Sequence, residues 1–135
     1  MRELSSQIAE VYEKITKFSD ITVTNYTATG KAEGAHIVVT TLGKLTNALK
    51  SQRGKKGSTL DLSALRCFVV DEADVFFNEK RNFQALTEVV SKHVSKLEHK
   101  VQYILFSATY PEEIKELIGT IVKKAQQISI KKESL

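Results

Sequence analysis

The chain has 135 residues, which suits one domain, and 41% of them are hydrophobic, which is enough for a packed core. Its single cysteine, Cys67, cannot form an internal disulfide, which favours a reducing, intracellular compartment such as the cytoplasm or nucleus. No apolar run approaches the ~18 residues of a membrane span, so membrane insertion is not expected. A net charge of +4 is compatible with binding phosphates but does not require it.

In the first half of the chain, helical and strand patterns alternate. A helix is predicted over about residues 3–17, where apolar residues lie on one stripe: Ile8, Val11, Tyr12, Ile15 and Phe18. The other predicted elements of this half are a strand over 21–28, a turn at Thr29-Gly30, a strand over 36–40, a short helix through Leu45 and Leu49, and a polar, basic loop over 51–58.

The second half is organised around two apolar runs, Cys67–Val70 and Tyr103–Phe106, each of which predicts a buried parallel strand. Between them lies a long predicted helix marked by Phe83, Leu86, Val89, Val90, Val94 and Leu97. Pro111 predicts the start of a last helix, whose buried face is Ile114, Leu117, Ile118, Ile121 and Val122, and residues 127–130 predict a last strand. Strands separated by helices predict a parallel, three-layer α/β domain with right-handed crossovers.

Polar residues follow both apolar runs. Asp71-Glu72-Ala73-Asp74 comes after the first run and Ser107-Ala108-Thr109 after the second. Ligands of such sheets bind outside the carboxyl ends of the strands, and Mg²⁺ takes oxygen ligands from one or two carboxylates, phosphate and water. The pattern predicts an edge that presents acids to a magnesium–nucleotide. The alternative is that the acids only end the strand and cap the next helix.

These residues resemble the motifs of the DEAD-box RNA helicase family. Met1–Gln7 is similar to the family's P-T-R-E-L-x-x-Q segment without its Pro-Thr. Ile37–Leu45 is similar to I-V-V-x-T-P-G-R-L, with leucine for proline and lysine for arginine. Four motifs in family order cover most of the chain. Asp74-Val75 and the ending Ile128–Glu133 most resemble the messenger-RNA-export branch, which adds the nuclear pore to the expected locations.

The resemblance implies a RecA-like parallel sheet with helices on both faces, and ATP and Mg²⁺ as ligands. The sequence contains no G-x-x-x-x-G-K-[ST] motif, whose backbone and lysine hold the phosphates. In the family this P-loop precedes the segment that begins at Arg2, and a second, C-terminal RecA-like domain follows. Residues 1–135 are therefore expected to be a partial N-terminal RecA-like domain, incomplete at its N-terminus because the P-loop strand is missing, with the C-terminal domain absent.

The resemblance also implies roles in catalysis. Asp71 would hold Mg²⁺ through water, and Glu72 would orient and deprotonate the attacking water. Asp74 would form a hydrogen bond with Ser107 or Thr109 and so couple hydrolysis to the RNA side. The alternative for the two hydroxyl groups is that they cap the helix that follows them.

Five residues are implied to contact RNA: Arg2, Gly30, Thr41, Gly43 and Lys44. Thr41 and Gly43 would offer a hydroxyl group and backbone N–H groups to a phosphate at a helix start. Lys44 keeps a positive charge but lacks the bidentate fork of arginine. The alternatives are a frayed terminal arginine at Arg2, a plain turn glycine at Gly30 and a solvated lysine at Lys44.

Three functions therefore remain open. The first is part of an RNA-dependent ATPase that grips the RNA backbone independently of base sequence, works with protein activators and opens duplexes locally. The second is an RNA- or partner-binding fragment without ATPase activity. The third is a different P-loop ATPase that shares only the acid-bearing strand.

Overall fold

The computed structural model describes residues 2–27, 31–51, 60–110, 112–122 and 124–130. Within these ranges, helices and strands alternate along the chain, as the sequence pattern predicts. The elements are α1 (Arg2–Thr16), β1 (Val23–Asn25), β2 (Ile37–Val39), α2 (Leu42–Ser51), β3 (Cys67–Val70), α3 (Ala73–Asn78), α4 (Lys80–Lys92), a 3-10 helix (Val94–Lys96), β4 (Gln102–Leu105) and α5 (Glu112–Ile121).

The strands pair in parallel, which confirms the predicted strand direction. In the described residues they form two separate two-stranded sheets, β1–β2 and β3–β4, where one continuous sheet was expected. The second pair places Val70 opposite Leu105, and the Phe106 N–H donates to the Val70 carbonyl at 2.9 Å. Because β3 and β4 are direct neighbours in register, the residues that follow them meet at one edge.

The buried apolar side chains form two clusters that share the flanking residues Leu42 and Phe68. The first cluster consists of Tyr26, Ala32, Leu45, Leu49, Leu60, Val89 and Val94. The second consists of Val70, Ala73, Phe77, Leu86 and Ile118. Each large apolar side chain buried in this way contributes roughly 1.5–3 kcal/mol. The first cluster packs against Val38 of β2 and also against Phe68 and Tyr103 of the β3–β4 pair, whereas the second packs against β3 and β4 through Phe68 and Leu105.

Helix α1 forms where it was predicted, but its apolar stripe faces outward. Val11 is 53% exposed, Ile15 73% and Phe18 95%. The buried residues of α1 are instead the small Ser5 and Ala9, which allow the helix to approach β1 and β2 closely. In the described part of the chain little covers Val11, Ile15 and Phe18, whereas Ile8 is half-buried.

The expectation that β3 and β4 are buried strands is wrong for one face of the sheet. Val70 is buried and Phe68 is half-buried, whereas Cys67 and Val69 are exposed, and so is Phe106 just after β4. The described helices cover only the face that carries Val70. Cys67 is therefore not the buried small hydrophobe that its place in an apolar run predicts.

Several boundaries also differ from the predictions. The first strand has three residues, because the chain turns at Tyr26 and Thr27. The long helix is divided at His93, where the backbone leaves helical geometry between α4 and the 3-10 helix. The predicted last strand is wrong for the described residues, among which 127–130 form no strand and Ile128 is 94% exposed.

The predicted last helix is present as α5, with Ile118 buried and Ile121 and Val122 packed against the second cluster. Pro111, the Thr29-Gly30 turn, most of the basic loop and the side chains of Ile114 and Leu117 lie outside the described residues. Across the residues that the structure describes, no helix is both long and apolar enough to cross a membrane.

Candidate functional site

Two acids stand at the carboxyl end of β3. Asp71 Oδ1 accepts a hydrogen bond from the Glu72 N–H at 2.9 Å, and both side chains are exposed. The next N–H group, that of Ala73, donates to the Phe106 carbonyl at 2.8 Å. The acids are thus tied directly to the end of the neighbouring strand, and they remain open to a ligand.

Glu72 has an unusual backbone conformation, with φ 51° and ψ 47°, in the left-handed helical region. For an L-residue this conformation costs roughly 1–2 kcal/mol. Glu72 immediately precedes α3, yet its side chain makes no capping hydrogen bond. The alternative in which this carboxylate caps the next helix is therefore wrong. An exposed acid held in a strained conformation at a strand end is typical of functional sites.

Asp74, Ser107 and Thr109 form a hydrogen-bonded group that we call the Asp74 cluster. Thr109 Oγ1 donates to Asp74 Oδ2 at 2.9 Å, and the Asp74 N–H donates to Ser107 Oγ at 3.1 Å. Ser107 Oγ in turn donates to the Thr109 carbonyl at 2.7 Å. The contact predicted between Asp74 and these residues is present, and its coupling role stays a prediction. The two hydroxyl protons are used inside the cluster.

The Asp74 cluster also perturbs the titration of its acid. The hydrogen bond from Thr109 holds the pKa of the Asp74 carboxyl below its usual value, against a smaller opposing effect of burial. Hydrogen bonds from Ser107 and from the backbone act in the same direction as Thr109. A donor aimed at the carboxylate favours its charged form, so the hydrogen bond from Thr109 stabilises the ionised state of Asp74.

The acids at the end of β3 fit a magnesium–nucleotide better than a metal bound by protein alone. In the described ranges no three His, Cys, Asp or Glu side chains are grouped to hold a metal ion. Asp71 and Glu72 offer carboxylate oxygens, which are hard ligands. Mg²⁺ is commonly bound by one or two carboxylates while phosphate and water supply its other ligands, and this donor set meets that requirement.

A second polar edge lies where β2 leads into α2. Thr41 Oγ1 accepts a hydrogen bond from the Lys44 N–H at 3.4 Å, as an N-cap residue does. A hydroxyl group that accepts in this way can still donate its own proton. Gly43 is exposed, and a Cβ atom built on it would meet nothing within 4 Å. Lys44 lies half-buried with its Nζ 5.1 Å from the centre of the Tyr26 ring.

Sequence reasoning missed residues that shape this second edge. Asn25 Nδ2 donates to Ser6 Oγ at 3.1 Å, and Thr27 Oγ1 donates to Asn25 Oδ1 at 2.6 Å. Thr40 Oγ1 donates to the Tyr26 carbonyl at 3.2 Å. The signal that would have found Asn25, Thr27 and Thr40 is the one that picked out Asp71, namely polar residues at the end of a strand in a parallel pair or just after it.

The other two residues predicted to contact RNA are Arg2 and Gly30. Arg2 is the first residue of α1, but its side chain lies outside the described part of the structure, and so does all of Gly30. The structure thus brings Asp71 and Glu72 together with the Asp74 cluster. It places Thr41, Gly43 and Lys44 together at the start of α2, on the other strand pair.

The comparison with protein-family models matches residues 1–117 to the family described as DEAD/DEAH box helicase. This match spans most of the chain, so the chain belongs to the DEAD/DEAH box helicase family, as its motifs predicted. Membership of this family excludes the alternative of an unrelated P-loop ATPase that shares only the acid-bearing strand.

Among curated relatives, ATP-dependent RNA helicase DBP5 of Candida albicans is 32% identical over 138 residues. DEAD-box ATP-dependent RNA helicase 38 of Arabidopsis thaliana is 31% identical over 144 residues. Both matches cover 99% of this chain, but they cover only 24% and 28% of the relatives. The chain therefore spans about a quarter of the length of these relatives.

Solved structures share the fold. S. cerevisiae Dbp5 bound to RNA and ADP-BeF3 matches with a TM-score of 0.78 and 24% identity, over 99% of this chain and 33% of that one. A hypothetical ATP-dependent RNA helicase from Sulfolobus tokodaii gives a TM-score of 0.75 at 24% identity, over 93% and 37%. A Dbp5 variant bound to Nup159, a Gle1 variant, IP6 and ADP gives 0.72 at 26%, over 93% and 32%. The predicted RecA-like α/β class is confirmed.

Proposed function

We propose that this chain is part of the N-terminal RecA-like domain of an ATP-dependent RNA helicase similar to DBP5. The observation that carries the proposal is the Asp74 cluster, in which residues 35 positions apart join the acid-bearing strand end to its neighbour. A direct link of this kind would transmit a structural change at Asp71 and Glu72 to the neighbouring strand. Residues 1–135 would lack the P-loop strand, and the C-terminal RecA-like domain would lie elsewhere in the whole protein.

In this proposal the acids after β3 serve nucleotide hydrolysis. Asp71 would hold Mg²⁺ through water, and the bound ion would neutralise charge on the phosphates. Glu72 would orient the attacking water and accept its proton at a carboxylate oxygen. The left-handed backbone at Glu72 fixes the direction in which that side chain leaves the main chain. Asp74 would leave the substrate alone and hold Ser107 and Thr109 instead.

The start of α2 would contact RNA. Thr41 and Gly43 offer a hydroxyl group and N–H groups at the positive end of a helix dipole, where phosphates bind. Lys44 adds a full positive charge at the same end. These groups recognise phosphate and not base edges, so binding would be indifferent to base sequence. Arg2 and Gly30 stay in the proposal as further RNA contacts on the strength of their motif positions.

A second function fits the 135-residue chain taken by itself, namely RNA binding without ATP hydrolysis. The observation that favours it is the absence of a G-x-x-x-x-G-K-[ST] motif from the sequence. Without that backbone cradle and lysine, nothing in the sequence matches the usual means of holding the β- and γ-phosphates. We therefore assign hydrolysis to the whole protein and RNA binding to this chain.

We also propose partners and a location by analogy with the relatives. The solved Dbp5 structures contain RNA, ADP-BeF3, Gle1 and Nup159. By analogy, the whole protein would bind ATP and RNA, would be stimulated by protein activators of that kind, and would act in messenger-RNA export at the nuclear pore and in the cytoplasm. Its action would be to bend one RNA strand, open a short duplex and reset after phosphate release.

Two measurements on the purified chain test these assignments. Fluorescence anisotropy with labelled oligouridylate, a mixed-sequence RNA and the matching DNA should give salt-dependent affinity that ignores base sequence and favours RNA. Strong preference for one base sequence would contradict backbone recognition. RNA-stimulated ATP turnover should be absent, and turnover that Glu72→Gln abolishes would contradict the second function.

The role of Glu72 needs a form of the protein that also carries a triphosphate-binding loop. In that form Glu72→Gln should bind ATP and RNA normally, because glutamine keeps the size and shape of the side chain and one acceptor oxygen. Turnover should stop, because the amide cannot accept the proton of water. Retained turnover would remove Glu72 from the role of general base.

A further inference from the structure

Lys44 does not extend freely from the start of α2. Its Nζ lies 5.1 Å from the centre of the Tyr26 ring, within the range in which an ammonium group is attracted to an aromatic face. The two residues belong to different elements. Tyr26 directly follows β1, and Lys44 lies in the first turn of α2. The contact therefore ties the charge at the helix start to the body of the β1–β2 pair.

The Tyr26 ring is itself held in place. Tyr26 is only 4% exposed and belongs to the same buried cluster as Leu45 and Leu49 of α2. Its N–H donates to the Val39 carbonyl at 2.8 Å, and its carbonyl accepts from Thr40 Oγ1 at 3.2 Å. Both strands fix its backbone and the core fixes its ring, so the ring is a rigid platform for the lysine.

A second lysine–aromatic contact in the chain provides a contrast. Lys17 Nζ lies 5.4 Å from the Phe18 ring. Phe18, however, is 95% exposed and adjacent to Lys17 in sequence. That ring has no packing to fix it, so it cannot fix the lysine. The distances are similar in the two pairs, and the difference lies in how firmly each ring is held.

A fixed ring matters for a lysine because its four-carbon stem is flexible. An arginine at this place would present a pre-organised fork to phosphate, whereas a lysine presents one mobile charge. Restricting that charge before the ligand arrives lowers the entropy lost on binding. The Tyr26 ring would thus compensate in part for the lack of an arginine at position 44.

We propose that Tyr26 is a positioning residue for RNA binding, which holds the Lys44 ammonium group beside the start of α2, ready for an RNA phosphate. This inference rests on the proposed function of Thr41, Gly43 and Lys44 as a phosphate site. Tyr26 itself touches no phosphate in this account.

The test uses the 135-residue chain and a labelled oligouridylate, with affinity measured by anisotropy over a series of salt concentrations. Tyr26→Leu should weaken binding about two- to fivefold, the fold-change that corresponds to the entropy of ordering one mobile side chain. Tyr26→Phe should restore most of the affinity, because the aromatic face is kept. The salt slope should hardly change in either variant, because Lys44 still carries its charge. Phe18→Leu is the matched control and should bind like the unaltered chain.

A double-variant cycle separates positioning from a general structural effect. Lys44→Met should weaken binding and lower the salt slope by about one phosphate's worth. Adding Tyr26→Leu to Lys44→Met should then cause no further loss, because no charge is left to position. An equal loss from Tyr26→Leu in both backgrounds would overturn the inference. Lys44→Met binding like the unaltered chain would overturn the phosphate site itself, and the inference with it.

Discussion

The two strand pairs carry polar edges of different construction. After β3 and β4, side chains and backbone groups of Asp74, Ser107 and Thr109 bond directly to one another across 33 to 35 positions of sequence. After β2, the polar groups sit on the first turn of one helix and are ordered by a local cap and by the Tyr26 ring. The first edge suits chemistry that needs fixed distances, whereas the second suits a flexible polyanion.

The difference also explains which substitutions each edge should tolerate. At the Asp74 cluster each residue is a partner of another, so changing one leaves a charged or polar group without its hydrogen bond. At the start of α2, Gly43 has open space around it, so the fold should accept changes that the ligand does not. Substitutions at the first edge should therefore mainly change the free energy of unfolding, and substitutions at the second edge should mainly change RNA affinity.

The largest effect should come from removing the apolar support of the acidic edge. Phe77 is 7% exposed and packs against Phe83, with ring centres 5.6 Å apart and ring planes tilted by 50°. Phe77→Ala should lower the free energy of unfolding by about 3–5 kcal/mol, because it leaves a cavity below α3. Phe106→Ala, at a side chain that is 57% exposed, is the control and should cost much less. Urea unfolding measures both, and equal losses would show that Phe77 is not the support.

The next effect should come from the Asp74 cluster, with a characteristic pH dependence. Thr109→Val keeps the side-chain shape but removes the donor to Asp74, and should cost about 1 kcal/mol at neutral pH. In the unaltered chain the folded-state pKa of Asp74 is lowered. Its stabilising effect is therefore fully present above the unfolded pKa of about 3.9 and is lost as pH falls through the folded pKa.

The stability gap between Thr109→Val and the unaltered chain should accordingly narrow as pH falls below about 4. Thr16→Val is the control, since Thr16 Oγ1 donates to the Tyr12 carbonyl, which does not titrate. Its effect should be the same at every pH at which the chain is folded. If the difference in the free energy of unfolding between Thr109→Val and the unaltered chain does not change with pH, the Asp74 carboxylate is not the acceptor responsible for it.

A smaller effect, of opposite sign, should come from relieving the strain at Glu72. Glycine adopts left-handed conformations readily, so Glu72→Gly should raise the free energy of unfolding by about 0.5 kcal/mol after the entropy that glycine costs. Lys124 has a φ of 59°, so Lys124→Gly should also raise the free energy of unfolding. Glu79→Gly, at φ −105°, should be destabilising. If Glu72→Gly behaves like Glu79→Gly in thermal melting, the strain at Glu72 is not real.

Substitution of Gly43 should have the smallest effect on stability, but it should selectively lower the affinity for RNA. Gly43→Ala and Gly119→Ala both place a methyl group into open space on a helix, so each should raise stability by at most about 0.5 kcal/mol. Only Gly43→Ala should reduce RNA affinity, about two- to tenfold if it displaces one backbone hydrogen bond to phosphate. Equal RNA affinity of the two variants in anisotropy titrations would contradict backbone contact at Gly43.

Much of the fold could be predicted because the relevant signals are local. The apolar run before Asp71 predicts β3, and the 3.6-residue spacing of apolar residues predicts α1 and α5. The Asp74 contacts could be predicted because parallel strands bring their carboxyl ends to one edge. The predicted roles of Asp71, Glu72 and the RNA residues stay predictions.

The sequence could not predict which faces of the helices and strands are exposed, because exposure depends on which other segments pack against them. The apolar stripe of α1 and the apolar run of β3 look the same in sequence whether a neighbour covers them or not, so the exposure of Ile15 and Val69 was missed. The left-handed backbone at Glu72 leaves no residue signature, because glutamate is not a residue that favours it. The Tyr26–Lys44 contact joins residues 18 positions apart, and no spacing rule links them.

The most direct test of the central claim, that the two edges serve different ligands, is amide shift mapping by NMR. The ¹⁵N-labelled chain is titrated with oligouridylate at low salt. We expect the shifts to concentrate at Thr41, Gly43 and Lys44, to leave Asp71 and Glu72 nearly unchanged, and to be reversed by added salt. Shifts centred on Asp71 and Glu72, or none at the start of α2, would contradict it.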